Sequence, residues 1–267
     1  MIRLRDRAIA EQRMLGEGDR ELFVPGRAPC LVAFHGFGGT AAELRPVLDA
    51  VAGAGFAVDA GLLLGHGTRV EELQNLRLDD WLGEARPRMR RAIEEHGRIV
   101  LLGFSLGSLV ALELASERPD GLVGLAVLGN ALTLHAYASG PLALWDRAGW
   151  TVPDAYFTKP FAGDVVDKGA LASLVAYDRH PLRAALEVYR AGQRVRRVVG
   201  KVACPTLILH GRRDRVCPWK NATWLAERVG GGDVTVRVFE RSAHVLACDG
   251  EREDVAREVV RFVQRLA

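Results

Sequence analysis

From residue 30 onward, short apolar runs alternate with stretches of helical period, and this alternation narrows the fold more than any other feature of the chain. Runs at 30–34, 56–64, 99–104, 122–128, 206–210 and 234–239 read as strands. Most are almost continuously apolar. A strand of that kind is covered on both faces, as in a mostly parallel sheet. Between the runs lie helical patterns at 40–54, 81–96, 106–118, 219–229 and 251–266. In the first of them Leu44, Val47, Leu48 and Val51 share one face. Asp79 or Asp80 stands where it would cap the second, and Asp249 where it would begin the last. Parallel strands linked by single helices predict an α/β protein with helices on both faces of its sheet.

The alternation stops between 130 and 201. This stretch holds no convincing strand but many large apolar side chains, among them Leu132, Tyr137, Leu144, Trp145, Trp150 and Phe157. It predicts a helical insertion on the sheet, not a separate domain. Residues 1–129 and 202–267 then form one core. An insertion of this size near a catalytic edge often serves as a lid or cap. The first 20 residues read as a short helix with no assigned role.

Charge and cysteine content exclude several classes. The net charge of +3 is too small to make nucleic acid the main partner. No apolar run approaches the roughly 20 residues of a membrane-spanning helix. The charged start, MIRLRDRAIAEQR, lacks the apolar core of a signal peptide, so a cytoplasmic location is expected. Cys30, Cys204, Cys217 and Cys248 are scattered, with neither CxxC nor metal-ligand spacing. They read as free thiols of a reducing compartment, and no metal or cofactor is expected. Cys217 and Cys248 follow Asp214 and His244 closely, so these two thiols approach only if those loops meet.

The strongest chemical signal is Gly103-Phe104-Ser105-Leu106-Gly107. Gly-x-Ser-x-Gly alone is weak evidence in a chain with 29 glycines. Its context is specific: an apolar strand precedes it and a helix follows. Such a sharp turn strains the serine and holds its hydroxyl above the sheet edge. Glycines two residues to either side give room where a Cβ would clash.

A serine hydroxyl needs a base within hydrogen-bond reach to act as a nucleophile. Behind a serine turn of this type, an acid and then a histidine follow in chain order. Asp214 follows the 206–210 run and His244 follows the 234–239 run. Both would emerge at the carboxyl ends of parallel strands, beside Ser105. The expected triad is therefore Ser105 as nucleophile, His244 as base and Asp214 as orienting acid. His35, His66, His96, His135, His180 and His210 lie too early in the chain to be the base. Asp249 is the competing acid, though helix capping suits it better. The oxyanion donors are expected to be the backbone N–H groups of Leu106 and of Phe37 in the loop His35-Gly36-Phe37-Gly38-Gly39. His35 is expected to brace that loop, and Gly65-His66-Gly67 to shape a neighbouring one.

Together, His35-Gly36-Phe37, Gly65-His66-Gly67, Asp79-Asp80-Trp81, the serine motif, Cys204-Pro205-Thr206, Asp214 and Ser242-Ala243-His244-Val245 with Asp249 resemble bacterial carboxylesterases and monoacylglycerol lipases of the α/β-hydrolase superfamily. The resemblance spans about 31–128 and 202–266. It implies the α/β-hydrolase fold and cofactor-free cleavage of esters with short to medium apolar acyl chains. Two positions depart from the pattern: Ala243 and Ser108 stand where that group usually has glycine. The 130–201 stretch matches nothing recognisable, so the substrate is the least legible part. Thioester hydrolysis, C–C bond hydrolysis and acyl transfer would use the same triad. A binding module without turnover would have no need of a complete one.

Overall fold

The computed structural model describes residues 21–158, 163–172 and 174–267. The short helix expected in the first 20 residues lies outside them. Seven strands form the main sheet: β1 (Leu22–Val24), β2 (Arg27–Phe34), β3 (Phe56–Ala60), β4 (Ile99–Phe104), β5 (Leu122–Leu128), β8 (Thr206–Gly211) and β9 (Val234–Phe239). Their order is β1-β3-β2-β4-β5-β8-β9. Only the β1–β3 pair is antiparallel. The mostly parallel sheet read from the sequence is thus present, with the α/β-hydrolase arrangement.

Alternate residues of the central strands enter two separate cores. Val32, Leu101, Val127 and Ile208 face one side, with Trp81 of α2 (Leu78–His96) and Leu109 of α3 (Leu106–Ser116). Leu31, Val100, Ala126 and Leu207 face the other, with Val47 of α1 (Arg45–Gly53) and Val259 of α7 (Arg252–Arg265). Burial on both faces explains why these strands carry runs of apolar residues instead of alternating.

Several boundaries differ from the sequence reading. The helix expected at 40–54 opens as a 3-10 turn, Ala41–Leu44, with the Thr40 hydroxyl accepting from Ala42 N–H at 3.3 Å. The α-helical part begins only at Arg45. Strand β3 ends at Ala60, not at 64. The N–H of Leu63 donates to His35 Nε2 at 3.0 Å, which draws that segment off the sheet. Helix α2 begins at Leu78, and the Asp80 carboxylate accepts from Arg77 N–H at 2.7 Å, closing its first turn. Asp79 instead pairs with Arg194 at 2.7 Å. Helix α6 is only Lys220–Ala226.

The chain between β5 and β8 carries α4 (Ala136–Ala148) and α5 (Leu182–Val195). It also holds an antiparallel pair, β6 (Tyr156–Phe157) with β7 (His180–Pro181), which corrects the expectation of a strandless segment. Two residues per strand are too few to leave a periodic signal. Helix α5 buries Ala184, Leu186, Val188 and Val195, whereas α4 buries none of its residues. No helix among the described residues is long and apolar enough to cross a membrane.

Candidate active site

Strand β4 runs into α3 through Ser105, whose backbone sits at φ 52° and ψ −115°. Positive φ strains a residue with a Cβ, and such strain gathers at functional sites. The surroundings impose it. A Cβ on Gly103 would strike the Gly107 carbonyl, and one on Gly107 would strike the Phe34 carbonyl. Gly107 N–H also donates to His35 O at 3.0 Å, clamping the start of α3 to the loop after β2. The two expected oxyanion donors therefore come from segments held together: Leu106 is the first residue of α3, and Phe37 lies in the clamped loop. Ser108 stands in the place of the second glycine. Its hydroxyl donates to Ser105 O at 2.5 Å and accepts from Ala131 N–H at 3.3 Å, so it ties the turn to the chain after β5.

The three expected residues meet. His244 Nε2 lies 3.0 Å from Ser105 Oγ, and His244 Nδ1 lies 2.7 Å from Asp214 Oδ2. All three side chains are almost buried. A carboxylate only accepts, so Nδ1 carries the proton and Nε2 offers its lone pair to the serine. Asp214 is held by four donors. Val216 N–H and Cys217 N–H reach Oδ1 at 2.8 and 2.7 Å. His244 and His210 share Oδ2, the latter through Nε2 at 2.9 Å. Burial pushes the Asp214 carboxyl up, but the two imidazoles outweigh it and hold it well below the usual carboxylate range. Asp214, Cys217 and His244 have potential ligand atoms within 4.8 Å of one another. With both carboxylate oxygens already engaged by donors, the cluster is poorly suited to a cation.

The sequence comparison then decides the family. Residues 27–251 match the family described as serine aminopeptidase, S33. The chain belongs to this family. Among its relatives is the thermostable monoacylglycerol lipase of Bacillus sp. (strain H-257), 24% identical across 97% of this chain and 100% of that protein. The carboxylesterase of Bacillus subtilis (strain 168) is 23% identical across 90% of this chain and 94% of its own length. A solved structure from the pair LipS and LipT, two metagenome-derived lipolytic enzymes, superposes with a TM-score of 0.84 at 24% identity, covering 93% of this chain and 98% of that one. The S33-family chain thus has the α/β-hydrolase fold, and these relatives are named as lipases and carboxylesterases.

In this S33 hydrolase the other sequence-selected residues have supporting places. His35 donates from Nδ1 to Gly36 O at 2.9 Å and accepts Leu63 N–H at Nε2. Burial pushes its imidazole down to about 4. It is a neutral brace for the loop. His66 bonds through Nδ1 to Leu63 O and Leu64 O at 3.2 and 3.1 Å. The Gly-His-Gly loop is pinned by the Tyr177 hydroxyl, which donates to Gly65 O and accepts from Thr68 N–H. All four cysteines are free. Cys248 Sγ points to the carbonyls of Ala42 and Glu43.

Asp249 does not cap the last helix. Glu251 occupies the N-cap of α7. The Asp249 carboxylate is fully buried and accepts from the N–H groups of Val166, Asp167, Ala243 and Gly250 at 2.7–3.0 Å. Burial raises its carboxyl, but those four donors together hold it below its ordinary value.

Two residues close to the site escape sequence reasoning. His210 is the penultimate residue of β8 and, being early in the chain, fails the order test for a base; its place on Asp214 depends on a turn that the sequence does not reveal. Asp164 lies in the aperiodic insertion. Its carboxylate accepts from Arg215 N–H and Nε at 2.9 and 2.7 Å and from His244 N–H at 3.3 Å. No local pattern marks it.

Proposed function

We propose that Ser105, His244 and Asp214 are the catalytic triad of a serine esterase acting on carboxylic esters with short to medium apolar acyl chains. The observation that carries this reading is the continuous chain from Ser105 Oγ through His244 to Asp214, at 3.0 and 2.7 Å. His244 takes the Ser105 proton as Oγ attacks the ester carbonyl. The resulting oxyanion is held by the N–H groups of Leu106 and Phe37. Collapse expels the alcohol, which receives the proton from His244, and leaves an acyl-serine. Water, deprotonated by His244, then releases the acid and restores Ser105. Asp214 keeps Nδ1 protonated and stabilises the imidazolium in both halves.

Residues 130–201 form the cap in this reading, inserted between the core segments 1–129 and 202–267. The exposed Leu144 and Trp150 in and after α4 supply apolar surface suited to an acyl chain. The names of the lipase and carboxylesterase relatives support an ester over another acyl substrate. The four free cysteines favour a reducing, cytoplasmic setting.

The test is a p-nitrophenyl ester series of increasing acyl length, run beside matched thioesters with Ser105→Ala as control. Serine-dependent turnover peaking at short or medium chains is expected, with a loss of at least about a thousandfold in the variant. Near-normal activity in Ser105→Ala would overturn the mechanism. Serine-dependent turnover of thioesters alone would keep the triad and change the substrate.

A further inference from the structure

Asp214 Oδ2 serves two imidazoles, and only one of them reaches Ser105. The second, His210, is fully buried near the end of β8. Its Nε2 faces Asp214 Oδ2 at 2.9 Å and the Cys217 carbonyl at 3.3 Å. A carboxylate and a carbonyl both only accept, so Nε2 carries a proton. The same Oδ2 also accepts from His244 Nδ1 at 2.7 Å. We propose that His210 is a positioning residue of this site: its Nε2–H locks the Asp214 carboxylate and restrains how strongly that carboxylate raises the basicity of His244. The proposal rests on the triad reading above.

The locking is geometric. Oδ1 is fixed by the Val216 and Cys217 N–H groups on its own loop. Oδ2 would otherwise answer to His244 alone, the group that must turn between serine and leaving alcohol. A rigid second donor on Oδ2 keeps the carboxylate plane fixed while His244 cycles. The restraint is electrostatic. Each donor on Oδ2 draws charge from the oxygen facing His244, and a weaker partner stabilises the imidazolium less. A base is most useful when its pKa lies near the working pH, so an acid of intermediate strength suits this site.

Loss of the donor has a defined sign. Without His210 Nε2–H, Asp214 carries more charge toward Nδ1, and the His244 imidazolium is favoured. The acid limb of kcat/KM therefore moves to higher pH. The other titratable or charged groups packed around the pair are Asp164 with Arg215, His135, Tyr137 and Cys217. Substitution at position 210 changes the identity of none of these groups, and comparison with His210→Gln separates loss of the donor from a general disturbance of the pocket.

The experiment is the pH profile of kcat/KM for a p-nitrophenyl ester in wild type, His210→Phe and His210→Gln, with Ser105→Ala as control. His210→Phe keeps a flat ring and removes the donor. It is expected to move the acid limb upward by roughly half a unit to one unit and to lower kcat about tenfold. His210→Gln restores an N–H near the Nε2 position and is expected to lie much closer to wild type in both. Nitrogen-15 NMR of the wild-type imidazoles provides a check independent of folding in the variants, with His210 protonated at Nε2. An unmoved acid limb in a folded His210→Phe, or a His210 proton on Nδ1, would overturn the proposal while an inactive Ser105→Ala still upheld the triad. An active Ser105→Ala would instead remove the reading beneath it.

Discussion

The buried carboxylate of Asp249 accepts the backbone N–H of Ala243 at 2.7 Å, one residue before His244. The same carboxylate reaches Val166 and Asp167 in the chain between β5 and β8. One side chain thus joins the histidine loop to that segment, and it does so from a place where no water replaces a lost bond.

Replacing Asp249 by Asn would turn one acceptor oxygen into a donor facing an N–H. At least one buried N–H would be left unsatisfied, at a cost of about 1–3 kcal/mol. Because the native carboxyl lies below its ordinary value, its contribution is present above about pH 4 and is lost as pH falls through the lower native value. Denaturant melts should therefore show the largest gap between wild type and Asp249→Asn near neutrality, narrowing in acid. Activity of the folded variant should fall no more than about tenfold, against roughly ten-thousandfold for Asp214→Asn. The opposite ranking would make Asp249 the acid.

Asp164 supports the site from the other side. It accepts from Arg215 next to Asp214 and from the N–H of His244 itself. The Arg215 side chain is half exposed, so its charge pairing contributes little to stability. The buried main-chain bonds matter more. Asp164→Ala is expected to lower kcat by about ten- to a hundredfold with KM nearly unchanged, because both the acid and the base loops shift. Arg215→Ala should cost far less. Equal losses in steady-state kinetics would mean that the ion pair, not the main-chain bonds, holds the loops.

The serine turn offers a third check. A Cβ on Gly107 would meet the Phe34 carbonyl, and both are backbone-fixed, so the loop carrying Phe37 would have to move. Gly107→Ala should melt at a lower temperature and react more slowly with an organophosphonate even where it is fully folded. Wild-type labelling rates would show that the turn has slack.

Ser105 and His244 are legible because a strained strand-to-helix turn demands glycines at fixed spacing, and because an acid and then a histidine are expected in that chain order behind such a turn. The sheet was legible because strands buried on both faces are apolar throughout. Asp164 and His210 were not, since each acts on a partner 80 or 4 residues away through loop geometry with no period. Asp249 misled because a carboxylate just before a helix usually caps it; here the neighbouring loops supply four donors first. The end of β3 is not legible in the sequence, because Leu62, Leu63 and Leu64 look like strand, while the imidazole of His35 takes the Leu63 N–H.

That imidazole makes the last prediction. His35 is fully enclosed and bonded at both nitrogens in its neutral form. Burial lowers its pKa to about 4, whereas in the unfolded chain it is about 6.5. The unfolded state therefore binds a proton more readily, and stability rises with pH through this window. Its contribution is complete above about pH 6.5 and is lost as pH falls toward about 4. A set of chemical melts between pH 4 and 7 should show this slope in wild type and a shallower one in His35→Gln, whose amide does not titrate. The amide cannot span both Gly36 O and Leu63 N–H as the ring does, so the variant should also be less stable at pH 7, by about 1–3 kcal/mol. An unchanged slope would mean that the loop opens to water before His35 takes its proton.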